Sequence, residues 1–321
     1  MKNVYIKYRI RHRGEIQFFM HQFVEAAIAE GVKPVADFPA FKGKRTLASF
    51  AHRIIGPYAH SNRCLIVTSQ GGGVLENSFP YFGAYRIIPM VWDIWPRSQP
   101  SFFKSIKDLN CPCVLVTVRE IAHRVEQELG IPALWVPEGI DASDYKPGKE
   151  LHERTVDVYE LGRQMQSYHL IIKQLQKEDG IAYCGHEVDE HGNLLRLAFS
   201  NAQELLDHLP EMKVIVSFPK VDTAPLSEHG GLETMTQRYW ESMLNRSLIV
   251  GRAPRELIDF IGYNPVVDVD WSAPKEQLRH IINNICEYQD LVNRNYQTAV
   301  NKASWKYRIQ DIIKFIECHT N

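Results

Sequence analysis

The sequence predicts an α/β fold built as two similar-sized halves. Three observations carry this expectation. Short apolar runs alternate with amphipathic stretches from end to end, the pattern of βαβ units on a parallel sheet. The alternation pauses near the middle, at Pro137-Glu138-Gly139-Ile140-Asp141 and Tyr145-Lys146-Pro147-Gly148-Lys149, a stretch rich in turn formers and charge. It then restarts with the same rhythm. A chain of 321 residues, 45% hydrophobic and 23% charged, is long enough to bury a sizeable core in each half.

In order along the chain, residues 4–8 read as a first strand. A basic turn, Arg11-His12-Arg13-Gly14, follows, and then a helix whose apolar positions Ile16, Phe19, Met20, Phe23 and Ala27 recur at three and four before Gly31. Further strands are expected at 64–68, 86–91, 114–118 and 133–136. After the pause, strands are expected at 155–161, 182–184, 214–218, 247–250 and 266–267. Helices are expected at about 167–178, 202–208, 236–245, 255–261 and 274–299. The last stretch puts Trp305, Ile309, Ile312, Ile313 and Ile316 on one side of a helix, so it needs a surface to cover.

Charge excludes some functions. Lysine plus arginine total 37 against 38 for aspartate plus glutamate, so the chain lacks the positive field of a nucleic-acid binder and no nucleic-acid partner is expected. The balance conceals a gradient: residues 1–63 hold eleven Lys/Arg and four Asp/Glu. Such a region suits something anionic, a phosphorylated acceptor or a lipid headgroup surface, and equally a solvated basic face. The opening residues are broken by charge too soon for a signal-peptide core, and no window approaches a membrane span. A cytoplasmic location is expected, with peripheral contact at the inner face of the membrane through the basic N-terminal region. Six scattered cysteines show no paired zinc spacing and read as reduced thiols.

Glu233 and Glu241 form a Glu-x7-Glu pair in a distinctive context: a strand, a polar loop, Gly230-Gly231, a helix, then an apolar strand ending in Gly251. Glycines allow close backbone approach to a ligand, and a helix N-terminus offers unpaired N–H groups to a diphosphate. A carboxylate in that helix can accept two hydrogen bonds from a ribose diol, and one on the loop can hold sugar hydroxyls. Without the flanking pattern the pair reads as ordinary surface glutamates, as Glu120 and Glu128 at the same spacing do.

Glu233 to Gly251 resembles the nucleotide-sugar segment of GT-B glycosyltransferases of the large retaining family usually numbered four. Other pieces fall in that family's order: the Pro137-Glu138-Gly139-Ile140-Asp141 linker, Gly162-Arg163, Ser217-Phe218-Pro219 and a C-terminal helix with Trp305. Together they cover most of residues 85–316. The resemblance implies two Rossmann-like domains with an interdomain cleft. Residues 1–145, completed by helix 303–321, would form the acceptor domain, and 146–302 the nucleotide-sugar domain. It further implies catalytic roles for Glu233, Arg163 and Asp93, and donor contacts by Glu241, Gly231, Thr234, Lys173 and Gly14. Arg11, Arg13 and Trp92 would lie on the acceptor side. The sequence departs from the family pattern at three places. Tyr168 stands where a phosphate-neutralising lysine is usual, Glu138 where an asparagine is, and Trp92-Asp93 where a His-Asp pair is.

The activity so implied is transfer of a sugar from a nucleotide-diphosphate sugar to a hydroxyl of a glycan or lipid-linked acceptor, with retention and without metal or other cofactor. A nucleotide-sugar epimerase or hydrolase on the same fold, and a catalytically silent sugar-nucleotide-binding scaffold, are the rival readings. Asp268-Val269-Asp270 has the form of a metal-binding Asp-x-Asp but sits late, where a strand end is expected. Gly71-Gly72-Gly73 reads either as an anion cradle or as permissive backbone.

Overall fold

The computed structural model describes residues 3–8, 19–39, 41–55, 62–160, 162–189 and 194–320. The first half holds strands β1 (Val4–Tyr8), β2 (Lys33–Ala36), β3 (Cys64–Gln70), β4 (Arg86–Trp92), β5 (Val114–Val116) and β6 (Ala133–Trp135). All pair in parallel, in the order β2-β1-β3-β4-β5-β6. Helices α1 (Phe19–Ala29), α2 (Lys44–Ile55), α3 (Val74–Ser78), α4 (Gln99–Asp108) and α5 (Arg119–Leu129) connect them. Strand β4 is buried from Ile87 to Trp92 because helices cover both faces, which is why it reads as a continuous apolar run.

The second half repeats the scheme with β7 (Val156–Glu160), β8 (Tyr183–Gly185), an antiparallel pair β9 (Glu187–Val188) and β10 (Leu194–Arg196), then β11 (Met212–Ser217), β12 (Leu248–Gly251) and β13 (Val266–Asp268). The five-stranded parallel sheet runs β13-β12-β11-β7-β8. Its helices are α6 (Gln166–Asp179), α7 (Ala202–His208), α8 (Lys220–Thr223), α9 (Leu226–His229), α10 (Gln237–Leu244), α11 (Arg255–Ile261), α12 (Pro274–Asn283) and α13 (Gln289–Lys302). The order reverses once in each sheet, and ligands of open parallel sheets bind beyond the strand ends at such reversals.

The final helix, α14 (Trp305–Thr320), returns to the first half. Trp305, Ile309, Ile312 and Ile316 pack with Phe23, Trp92 and the strands β1, β3 and β4, each side chain at most 1% exposed. Each such burial removes about 1.5–3 kcal/mol worth of apolar surface from water. The crossing is pinned: Ile140 N–H donates to Ala303 O at 2.9 Å, and Arg308 Nε donates to Pro137 O at 3.1 Å. Gly139 is required here, since a Cβ would stand 2.8 Å from the Trp305 ring.

The structure differs from the sequence expectation at several places, among them three near the ends of the two halves. Strand β2 and helix α2 were not expected. β2 is an edge strand with Lys33, Pro34 and Ala36 exposed, so it lacks the apolar run of its neighbours. The expected helix 274–299 is two helices joined by a single turn of 3-10 helix, Ile285–Tyr288.

Candidate active site

Beyond the C-terminal strand ends the two halves meet, with Lys220 after β11 over Trp95 after β4, and the segment 229–237 packs between them. Leu232, from the second half, is buried in the apolar cluster of the first. Gly230 packs so closely on Pro96 that a Cβ would lie 2.6 Å from its ring. Glu256, only 3% exposed, accepts from the backbone N–H of Arg119 at 2.8 Å and of Met235 at 3.1 Å, joining the halves. Glu138 does the same from the linker: its Oε2 accepts the Gln237 N–H at 3.1 Å, and its carbonyl accepts Trp240 Nε1 at 2.8 Å.

Two guanidinium groups define the second sheet's side. β7 ends at Glu160, and the chain resumes its description at Gly162, whose φ of +79° is a left-handed backbone suited to glycine. Arg238 from α10 lies over this glycine: a Cβ at position 162 would meet its Nη2 at 2.3 Å. Neither Arg163 nor Arg238 is ion-paired among the described residues, and Arg238 Nη1 is buried without a hydrogen-bond partner. Arg163 is solvent-exposed; protein atoms packed against part of its guanidinium, and then the neighbouring Arg238 charge, lower it to about 10, still cationic at neutral pH. An orphaned buried donor beside a second unpaired cation is costly unless an anion completes it.

Asp93 stands across the cleft at the end of β4. Its φ of +54° is a strained conformation for a side-chain-bearing residue, worth about 1–3 kcal/mol. Both carboxylate oxygens are held, Oδ2 by Gln70 Nε2 at 2.7 Å and Oδ1 by Trp95 Nε1 at 3.2 Å. Lys220 of the second half sits 4.2 Å from the Trp95 ring centre, so a cation–π contact bridges the cleft beside Asp93.

The two glutamates of the Glu-x7-Glu pair differ in setting. Glu241 Oε1 accepts from Tyr145 OH at 3.0 Å, and its other oxygen makes no hydrogen bond among the described residues. Burial raises its carboxyl above the ordinary value, against the Tyr145 hydrogen bond and Arg238. Glu233 Oε1 pairs with Arg252 at 2.6 Å, and Oε2 accepts the Arg255 N–H at 2.7 Å. Arg252 also binds Asp222 at 2.6 Å, and these carboxylates outweigh burial and hold its guanidinium above the ordinary value. Arg252, Arg255, Asp222, Phe218 and Trp271 line a pocket of about 420 Å³ next to Glu233.

Other expected residues fall elsewhere. Trp92, expected on the acceptor side, is fully buried; its ring packs on Phe23 and Trp305, with centroids 5.5 and 6.1 Å away, so it is a core residue. Thr234 is buried between the halves, its hydroxyl 3.4 Å from the Thr117 carbonyl. Lys173 lies over the Tyr183 ring and lines a separate pocket with His169 and His186, apart from Glu233 and Asp93. Tyr168 is fully buried among Phe218 and Trp271. The N–H of Gly230, Gly231 and Leu232 are each bonded inside their own turn, so three of the amides expected to cradle a diphosphate are already engaged. Gly72 is explained by packing: a Cβ there would lie 1.7 Å from Ser101 Oγ. Asp268 accepts from Asn264, and Asp270 from Ser272. Gly14, Arg11 and Arg13 lie outside the described residues.

Sequence reasoning missed Arg238, the Glu138–Gln237 bond and the Lys220–Trp95 contact. Arg238 had a signal, since it lies three residues before Glu241 and shares its helix face.

No protein-family model matches the sequence, and no curated protein matches it. Solved structures do match. An alpha-glucosyltransferase in complex with UDP aligns at a TM-score of 0.60 and 9% identity, over 98% of this chain and 99% of that one. The fold is GT-B. A structure of alpha-glucosyltransferase with UDP-glucose and DNA containing an abasic site gives 0.58 at 10% identity, over 98% of both chains. HepE from Anabaena, in complex with UDP, gives 0.56 at 10% identity, over 98% of this chain and all of that one. TarM gives 0.56 at 9%, but this chain covers only 57% of it.

Proposed function

We propose that this GT-B chain is a glycosyltransferase moving a sugar from a nucleotide-diphosphate sugar to a hydroxyl of a glycan or lipid-linked acceptor. The observation that carries the reading is the unpaired Arg163 and Arg238 pair at the end of β7, facing a pre-positioned Asp93. The UDP and UDP-glucose in the similar structures support a nucleotide-sugar donor. DNA is present in one of them; the net charge of −1 here favours a sugar or lipid hydroxyl over a polyanion as acceptor.

In this reading residues 146–302 hold the donor, and residues 1–145 with α14 hold the acceptor. The bond from the anomeric carbon to the phosphate oxygen breaks, and its electron pair leaves on the diphosphate, where Arg163 and Arg238 neutralise it. Glu241 accepts from the ribose diol through its open oxygen. Glu233 takes sugar hydroxyls on the lone pairs that Arg252 and the Arg255 amide leave open. Asp93 orients the acceptor hydroxyl, whose oxygen bonds the anomeric carbon from the face the diphosphate leaves, retaining configuration. The acceptor proton passes to the departing phosphate oxygen. Two guanidiniums supply the positive charge, so the reaction proceeds without metal.

The test is release of nucleoside diphosphate from a panel of nucleotide sugars, with and without acceptors and with and without EDTA. Acceptor-dependent release insensitive to EDTA is expected. Release without acceptor would favour a hydrolase or epimerase. Tight binding with no turnover would favour a silent nucleotide-sugar-binding protein, a reading that the buried Tyr168 at the usual lysine position supports.

A further inference from the structure

We infer that α2 and the loop preceding it dock on an anionic lipid bilayer. Isolated exposed apolar side chains are ordinary, but clusters are not. Six of the thirteen large apolar side chains exposed among the described residues fall between positions 38 and 55: Phe38, Phe41, Leu47, Phe50, Ile54 and Ile55. Leu47, Phe50 and Ile54 recur at three and four on α2, so they form one outward stripe, and Phe50 and Ile54 are 61% and 63% exposed. The inner face of the same helix carries Ala48, fully buried.

The loop and α2 are tied together from beneath by the buried rings of Phe79 and Phe82. Phe38 contacts Phe41 and Phe79 edge-to-face at 6.1 and 5.7 Å, Phe79 reaches Phe82 at 6.2 Å, and Phe82 meets His52 of α2 at 5.6 Å. Exposed cations lie in the same segment of chain: Lys33, Lys42, Arg45 and Arg53. The single acid between positions 33 and 55 is Asp37, and Lys7 Nζ stands 3.2 Å from its Oδ1. Apolar residues that insert among acyl chains, accompanied by cations that meet headgroup phosphates, are what an interfacial helix needs. A second copy of this chain would bring like charges face to face, which disfavours a homodimer through this surface. The loop leaves the C-terminal end of β2, the same end of the sheet at which Asp93 stands, so docking would hold the cleft toward the bilayer. This inference does not depend on the transfer activity.

The test is sedimentation of the full chain with phosphatidylcholine vesicles, pure or containing phosphatidylglycerol, at low and high salt. Binding to the anionic vesicles alone, weakened by salt, is expected. Phe50→Glu with Ile54→Glu should lower that binding at least tenfold, and Arg45→Glu with Arg53→Glu should do likewise. Both variants change exposed positions and should melt as the parent does. Failure of the parent chain to sediment with anionic vesicles, or full binding by the Phe50/Ile54 variant, overturns the inference. So does a concentration-dependent dimer that the same variant abolishes, which would mark the surface as a contact between copies.

Discussion

Arg238 reaches over Gly162 to stand beside Arg163, and neither guanidinium is ion-paired among the described residues. Two like charges are held together by the fold of α10 and the end of β7, with no carboxylate binding either. The protein carries an electrostatic penalty there that a bound diphosphate would remove, and such stored cost is a mark of a ligand site.

Gly162→Ala tests this arrangement from the backbone. The φ of +79° disfavours any Cβ, and the added methyl would displace Arg238 Nη2. A stability loss of about 1–2 kcal/mol is expected from the left-handed conformation. Affinity for a nucleoside diphosphate should also fall about tenfold, the worth of one charge-assisted hydrogen bond. Thermal unfolding and calorimetric titration read the two effects separately; a loss of stability with unchanged affinity would remove Arg238 from the site.

The pairing of the halves should depend on pH. Burial, followed by the charge of Asp93, raises Glu138 from 4.5 to about 8, and burial raises Glu256 to about 7. The folded state therefore binds more protons than the unfolded chain between these limits. Stability is full below about pH 4.5 as far as these two groups are concerned, and declines as pH rises through 7 and 8. Protonated Glu138 presents an O–H donor beside a carbonyl acceptor, and a glutamine amide likewise places a donor beside an acceptor without titrating. Glu138→Gln should flatten the decline above neutrality and raise the melting temperature at pH 8, whereas Glu138→Ala should lower it at every pH by removing the Gln237 acceptor. A melting curve series across pH for the three chains decides this.

Trp92→Ala should cost about 3–5 kcal/mol, because the side chain fills the core between Phe23 and Trp305. Trp92→Phe should fold with a smaller loss and keep its ligand affinity. An affinity loss in a stably folded Trp92→Phe chain would return Trp92 to the acceptor side.

Much of the framework was legible because parallel strands covered on both faces must be apolar throughout, as in Ile87–Trp92 and Val214–Phe218. The amphipathic pattern from Trp305 to Ile316 likewise announced a helix needing a surface. β2 and α2 escaped because their signals run the other way: β2 exposes polar and proline positions at an edge, and the apolar stripe of α2 faces outward. The site was legible only in part. Asp93 and Arg163 follow strand ends, Glu233 lies on the loop before α10 and Glu241 within that helix, all places that local pattern reports. The spacing of Arg238 to Glu241 marks its helix face, but its meeting with Gly162, 76 positions away, and that of Glu138 with Gln237, 99 positions away, are reported by no local pattern. Trp92 misled because a strand's last residue points to the cleft or to the core according to pleat, and here the core took it.

The central claim, that the unpaired arginines receive a donor diphosphate, is tested most directly by calorimetric titration of UDP into the parent chain, Arg163→Ala and Arg238→Ala. Loss of about 10- to 100-fold in affinity is expected for each variant, the range of one to two charge-assisted hydrogen bonds, with melting temperatures kept or raised as the mutual repulsion is relieved. Undiminished UDP binding by both folded variants would contradict the account.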